Sequence, residues 1–301
     1  MTGVRSAHIR FVILAHVDDA TALQVYTALR ARYGSDLVEL VSSEQLACAP
    51  HWTHRLHNSG VTTELLLSDG TLLASRGLGL VFNRLRYVTM PHFASASEED
   101  RNYAIMEMQA LWLSWLASLP CPVVNQVTSV NSGIRECSHG EWLHLAGRAG
   151  LPTQGYHVTT NMRHFPLPLP HYVPHSRLPA LDAHGLAAYE RMRTPLIGDQ
   201  PAFFLETVSE QRQSVLVAGN RIIGSQGAEY AEQLGHLRAL SGCDLFRVVF
   251  ARSAGNAEED IAHGHWKVCG INAFPQGSTA QELAAIIDLL EAMQAKTEIS
   301  R

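Results

Sequence analysis

Asp244-Leu245-Phe246-Arg247-Val248-Val249-Phe250 and, after a polar gap, Trp266-Lys267-Val268-Cys269-Gly270-Ile271-Asn272-Ala273-Phe274-Pro275 form two β-rich runs near the C-terminus. The gap carries Glu258-Glu259-Asp260, and the second run closes on Asn-x-x-Pro. Side chains of a strand alternate between its faces. Asp244, Phe246, Val248 and Phe250 therefore share one face of the first run, and Leu245, Arg247 and Val249 the other. Arg247 thus points where Val249 points.

The rest of the chain supplies strands and helices in an order that narrows the fold. Ile9–Ala15 is an apolar run of strand length, Asp18 or Asp19 can cap a helix over Ala20–Tyr33, and Gly34 can end it. Leu37–Val41 reads as a second strand, and strand–helix–strand order implies a small α/β domain with parallel pairing. Thr62–Leu67 and Thr71–Ser75 flank Ser68-Asp69-Gly70 as a hairpin. Leu78–Phe82 is a further strand that delivers Asn83, Arg84 and Arg86 at its carboxyl end. Ser97-Glu98-Glu99-Asp100 opens a long helix stopped by Pro120 and Pro122, and Val123–Asn125 is a short strand. Ser138-His139-Gly140-Glu141 is a second capping box, opening a helix that ends around Gly150, and Tyr156–Thr160 begins another strand.

Four prolines between Pro166 and Pro174 exclude helix or central strand, so this stretch reads as an extended linker or surface loop. Ala202–Val208, Ser214–Val217 and Ile222-Ile223, with a turn at Gly219-Asn220, read as one antiparallel sheet. A helix over about Ala228–Leu240 and a terminal helix near Ala280–Ala295 complete the chain. The expected divisions are 1–125, an N-terminal α/β domain; 126–200, a reduced central part containing the loop 166–174; and 201–301, a C-terminal α+β part.

With 301 residues, 46% hydrophobic and 17% charged, the chain can bury a large core in two or three packed subdomains. A net charge of −5 and a pI near 6.3 exclude a basic stripe for nucleic acid or a membrane surface. No apolar run reaches the roughly 18 residues of a spanning helix, and residues 1–19 read as a first buried strand rather than a signal peptide. The five cysteines form no Cys-x-x-Cys pair, which points to a reducing cytoplasm without disulfide or zinc framework.

The order of these pieces resembles the ATP-grasp superfamily, most closely ribosomal-protein glutamate ligases and the maturases of microviridin-type peptides. Val12–Asp19 and its helix are similar to their first strand and helix, Val81-Phe82-Asn83-Arg84 to their arginine-bearing strand end, and Cys121–Asn125 to a strand ending in Asn. Trp142–Thr160 resembles the helix leading into their Gly-Leu-x-x-Pro, Phe204-Leu205-Glu206 their adenine-side hinge strand, and Ser214–Gly219 the hairpin that follows. The two C-terminal runs look like the strands that hold Mg²⁺ against ATP phosphates through acidic residues on both.

The resemblance also shows what has departed. The positions where it places metal carboxylates read Val249 and Gly270, and only Asn272 stands at its expected place. Between Asn161 and Phe203 there is no lysine for the α-phosphate, and only the isolated Gly185 and Gly198 where a glycine-rich loop belongs. The hairpin position of a phosphate-binding arginine reads Ser214, with Arg212 two residues away. An ATP site needs cations, a mobile glycine loop and acid-held Mg²⁺ together, so their joint departure implies a degenerate site.

Other chemistries are weaker readings. His51, His54 and His57 would share faces only pairwise on a helix, and no carboxylate ligand is near. His171 with His175, and His263 with His265, are candidate pairs without a completed ligand set. Cys243 and Cys269 read as small core residues, Ser132 lacks a nucleophile elbow, and the glycines compose no dinucleotide fingerprint.

Two expectations remain open. The first is a non-catalytic ATP-grasp-like protein without cofactor, a binding or scaffold partner of a biosynthetic enzyme and a homodimer, its former cleft filled by Phe203, Phe204 or Trp266. The second is a working ATP-dependent carboxylate–amine ligase that takes a peptide or small carboxylate and uses ATP and Mg²⁺. The resemblance then implies Glu206, Arg212, Arg247 and Lys267 against the nucleotide and Asp244 and Asn272 near the metal, while Asn83, Arg84 and Arg86, at a strand's carboxyl end where open α/β sheets place ligands, would meet an anionic substrate or peptide carboxylate. An acyl-phosphate formed on the substrate carboxylate would be attacked by an amine.

Overall fold

The computed structural model describes residues 5–6, 8–58, 60–124, 138–159, 172–175, 180–181, 187–188, 202–253 and 266–299. Asn125, Ser132, Pro166–His171, Gly185, Gly198, Glu258–Asp260, His263 and His265 lie outside them. The chain divides into two compact units, residues 1–136 with 279–301, and residues 137–278.

The first unit begins with β1 (Arg5–Ser6), β2 (Ile9–Leu14), α1 (Ala20–Tyr33), β3 (Val38–Val41) and α2 (Ser43–Ala47). Asp19 caps α1 by accepting the Ala22 N–H at 3.0 Å, and Gly34 ends it at φ 91°, a conformation costly for any residue with a Cβ. Three antiparallel strands follow: β4 (His51–His57), β5 (Gly60–Leu66) and β6 (Thr71–Ala74). In the expected turn, the Asp69 carboxylate accepts the Thr71 N–H and Gly70 takes φ 88°. Next come β7 (Leu78–Asn83), α3 (Glu98–Ser118), capped by Ser97, and β8 (Val123–Val124).

Two sheets result. One has the order β3-β2-β7-β8, all parallel; the other has the order β1-β6-β5-β4. In the parallel sheet the chain runs from β2 outward to β3 and then returns to β7 on the other side, so the topological switch point lies between β2 and β7. Those strands meet closely enough that a Cβ on Gly79 would lie 2.6 Å from the Arg10 carbonyl oxygen. The core around β2 and β7 joins Trp112, Trp115 and Leu116 of α3 with Leu65 and Leu73 of the second sheet.

The histidines of β4 are on a strand, not a helix, and each has a local partner. His54 bonds Thr63 Oγ1 at 2.7 Å and Ser114 Oγ at 2.9 Å, His51 bonds Thr53 at 2.7 Å, and His57 bonds Thr62 at 3.2 Å.

The second unit holds α4 (His139–Arg148), β9 (Tyr156–Thr159), β10 (Tyr172–His175), β11 (Ala180–Leu181), β12 (Ala187–Ala188), β13 (Ala202–Glu206), β14 (Val208–Ala218), β15 (Arg221–Ile223), α5 (Ala231–Ser241), β16 (Leu245–Ser253) and β17 (Trp266–Asn272). The capping box at Ser138 and Glu141 is complete. Two expectations change. Ala202–Glu206 does not join β14 and β15 but is the central strand of a separate sheet, β10-β13-β9. Tyr172–Pro174, read as part of an extended linker or surface loop, lie in the strand Tyr172–His175 beside it, an edge of this sheet among the described residues, where proline is tolerated.

The larger sheet has the order β15-β14-β16-β17. Phe246, Val248 and Phe250 point to the face covered by α4 and α5, where they pack with Trp142, Leu234 and Leu237. The last helix, α6 (Ala280–Ile299), belongs to the first unit: Gln294 accepts two bonds from Arg10, at 2.9 and 2.7 Å, and Glu291 binds Arg32 at 2.5 Å and Tyr33 at 2.8 Å. Among the described residues no helix is long and apolar enough to cross a membrane.

Candidate functional site

The face of the larger sheet opposite α4 and α5 carries four of the six residues expected at the nucleotide and metal, Arg212, Arg247, Lys267 and Asn272, and its register arranges them in rows. Leu216, Arg247 and Asn272 lie side by side on β14, β16 and β17; Ser214, Val249 and Gly270 form the next row; Arg212, Ala251 and Lys267 form the third. The register shift after Val249 inserts Cys269 as an extra residue on β17, which keeps Lys267 on this face.

Arg247 is 4% exposed, yet it is the polar centre of the face. Its Nη1 donates to Ser214 Oγ at 3.0 Å and its Nη2 to the Gln276 carbonyl at 2.8 Å. Asn272 is equally buried, and its Oδ1 accepts the Phe274 N–H at 2.8 Å, fixing the Asn-x-x-Pro turn. Val249, Ala251 and Cys269 form a small apolar cluster backed by Val208. Burial pushes the Cys269 thiol up to about 11, although nearby Arg212 draws it down.

Glu206, at the end of β13, is the carboxylate tied to this face. Its Oε1 lies 2.6 Å from Lys267 Nζ and its Oε2 accepts the Gly155 N–H at 2.8 Å, while its carbonyl accepts from the Gln154 amide. The structure thus brings Arg212, Arg247, Lys267 and Asn272 onto one face, with Glu206 bonded to Lys267. It does not bring Asp244 to Asn272: the Asp244 carboxylate lies 3.7 Å from Arg238 in the turn between α5 and β16. Trp266 points to the opposite face, in the core with Trp142, and Arg252 lies 5.1 Å above its ring. Phe204 is buried, and the Phe203 side chain lies outside the described ones.

Mg²⁺ takes oxygen ligands in octahedral geometry, commonly one or two carboxylates. Among the described residues this face presents a buried guanidinium where the cation is expected and an Asn oxygen already bonded to backbone. No three His, Cys, Asp or Glu side chains among those residues gather as a metal site. The donors that the described residues place on this face do not make up the usual ligand set of a divalent cation.

The first unit has a polar group at its switch point, the edge where open α/β sheets place ligands. Asn83 ends β7 and accepts the Leu85 N–H at 3.2 Å. Arg84 is buried and donates to Asp19 Oδ2 at 2.6 Å, so its charge is met inside the fold. Arg86 is half-buried, and the Tyr87 ring lies 4.2 Å from that of His16, the second residue after β2, tilted by 32°. Desolvation lowers the His16 pKa and Arg86 lowers it further, against Asp18, Glu44 and Asp19, which raise it. His16 escaped the sequence reading; its place just beyond the first strand's carboxyl end was the available signal.

These elements define an ATP-grasp fold, with a parallel α/β unit and a unit of antiparallel sheets and helices. The chain is similar to a Chryseobacterium gregarium RiPP-associated ATP-grasp ligase in complex with ADP and a leader and core peptide (TM-score 0.69, 14% identity, 96% of this chain and 97% of that one). It is similar also to the macrocyclase MdnC of Microcystis aeruginosa MRC bound with precursor peptide MdnA (TM-score 0.68, 14%, 94% and 99%). The ATP-grasp ligase PsnB, complexed with a phosphomimetic variant of minimal precursor, Mg and ADP, matches at TM-score 0.66 and 19% identity over 95% and 99%. No protein-family model matches the chain, and no curated protein matches it in sequence.

Proposed function

We propose that the chain is a non-catalytic ATP-grasp-like protein that binds a peptide, or a partner enzyme, in a peptide-modifying biosynthetic pathway. The observation that carries this reading is the buried Arg247 guanidinium, held by Ser214 and Gln276 beside Val249 and Gly270. A fixed cation there repels Mg²⁺ by like charge in a setting of low dielectric. The apolar cluster of Val249, Ala251 and Cys269 supports the same reading. Peptide binding is supported by the fold's likeness to structures solved with precursor peptides. The peptide carboxylate would meet Arg86 and His16 at the switch point, with Asn83 and the Arg84–Asp19 pair as their frame. The reading also includes a cytoplasmic homodimer and the organisation 1–125, 126–200 and 201–301.

A second reading, an active carboxylate–amine ligase, is favoured by the three cations Arg212, Arg247 and Lys267 on one face with Glu206, which could hold nucleotide phosphates. Calorimetry with Mg-ATP separates the two. The first reading expects no binding heat; micromolar binding that is lost in Arg247→Ala would support the second and sink the first.

A further inference from the structure

His16, just beyond β2, holds a nitrogen that the fold encloses and does not use. Its Nε2 is buried and finds no hydrogen-bond partner among the described residues. A buried imidazole nitrogen without an acceptor is tolerated as a bare lone pair; a proton there would be desolvated and unbonded. The ring lies 4.2 Å from that of Tyr87, which is itself 53% exposed and can turn into solvent. Tyr87 and Arg86 sit on a segment fixed on both sides. Leu85 and Val88 are buried, the Leu85 N–H donates to Asn83 Oδ1 at 3.2 Å, and Thr89 Oγ1 lies 3.2 Å from Ser43 Oγ of α2. The switch point thus presents Arg86 and His16 on a rigid frame.

Charge decides what this nitrogen can take. The charged groups that face His16 are Asp18 and Asp19 between β2 and α1, Glu44 of α2, and Arg86 after β7. Asp19 is met by Arg84 at 2.6 Å. Asp18 and Glu44 then stand against Arg86, one negative charge in excess while His16 is neutral. A carboxylate entering beside Arg86 adds a second, and like charges at a partly desolvated edge disfavour one another. A proton on His16 cancels that addition and supplies a donor, and the carboxylate is the acceptor that Nε2 lacks. We propose that His16 makes peptide binding at the switch point proton-linked: the carboxylate enters beside Arg86, Tyr87 turns aside, and His16 takes up one proton and hydrogen-bonds the ligand through it. The inference rests on the reading that places a peptide carboxylate at this edge, and adds the proton to it. The sign follows from the surroundings. Desolvation, the largest effect, holds the empty-site His16 pKa below 6.5 against the pull of Asp18, Glu44 and Asp19, and a bound carboxylate raises it. Affinity is therefore low and level above the ligated value, rises as pH falls through it, and levels off below the empty-site value.

Calorimetric titration of the full chain with N-acetylglutamate, a peptide-like carboxylate that stays ionised above about pH 5, tests it. Binding should weaken by about fivefold or more between about pH 6 and pH 8, and heats in two buffers of different ionisation enthalpy should show proton uptake within that window. His16→Gln should bind with an affinity that no longer changes with pH. In the unsubstituted chain, the NMR titration of the His16 ring should move to higher pH when N-acetylglutamate is present. No binding at any pH, with the His16 signal unmoved, would overturn the inference together with the placing of a carboxylate at the switch point. Binding that is lost in Arg86→Gln yet indifferent to pH, or a pH dependence that persists in His16→Gln, would overturn the proton linkage alone.

Discussion

Replacing Asp19 with Asn removes one charge from the switch point and little else, and so isolates what Arg84 does. The Arg84 side chain is 1% exposed and that of Asp19 10%, with 2.6 Å between Nε and Oδ2. Breaking a buried pair by removing one partner costs about 3–5 kcal/mol, because the remaining charge stays desolvated. Asn is nearly as good an N-cap as Asp, so the bond to the Ala22 N–H survives; losing the negative charge at the start of α1 adds about 0.3–1 kcal/mol. The expected cost of Asp19→Asn is therefore about 3–6 kcal/mol, read by urea denaturation. The double change Asp19→Asn with Arg84→Met should recover most of it, since well-packed apolar replacements of buried pairs are often neutral. A loss below about 1 kcal/mol, or a double variant no more stable than the single, would refute the structural role and return Arg84 to the candidates for ligand contact.

Lys267→Met should remove the 2.6 Å ion pair from the half-buried Glu206 carboxylate while its bond from the Gly155 N–H stays, at a cost of about 1–3 kcal/mol in chemical unfolding. Because the folded His16 pKa lies below the usual 6.5, the unfolded chain binds its proton first. This contribution is fully present above about pH 6.5 and is lost as pH falls towards the folded value; His16→Gln should flatten that part of a stability–pH curve. Cys269, buried and pushed up to about 11, should resist iodoacetamide at pH 8 in the folded protein and react only on unfolding, as peptide mapping would show.

Local signals in the sequence reached far. Asp19 and Gly34 bound α1, the Ser138 capping box opens α4, and the Asp69-Gly70 turn closes its hairpin, because each is decided within a few residues. The alternation that sets Arg247 beside Val249 and away from Phe250 also carried into the folded sheet, and the ATP-grasp fold follows from the order of such pieces. What the sequence left hidden depends on distant partners. Ala202–Glu206 pairs with β9 and β10 rather than with the adjoining β14, and β4 is a strand because β5 bonds it along its whole length. The satisfaction of Arg84 by Asp19, across 65 positions, has no local signature, and neither does the reach of Arg247 to Ser214 and Gln276.

Whether a guanidinium stands where a metal would be held can be seen in a crystal structure of the protein grown with excess Mg²⁺ and a non-hydrolysable ATP analogue. Arg247 is expected to remain bonded to Ser214 and Gln276, and Asn272 Oδ1 to the Phe274 N–H, with no ion between them. An octahedral ion at about 2.1 Å from Asn272 Oδ1, with the Arg247 side chain displaced, would contradict it.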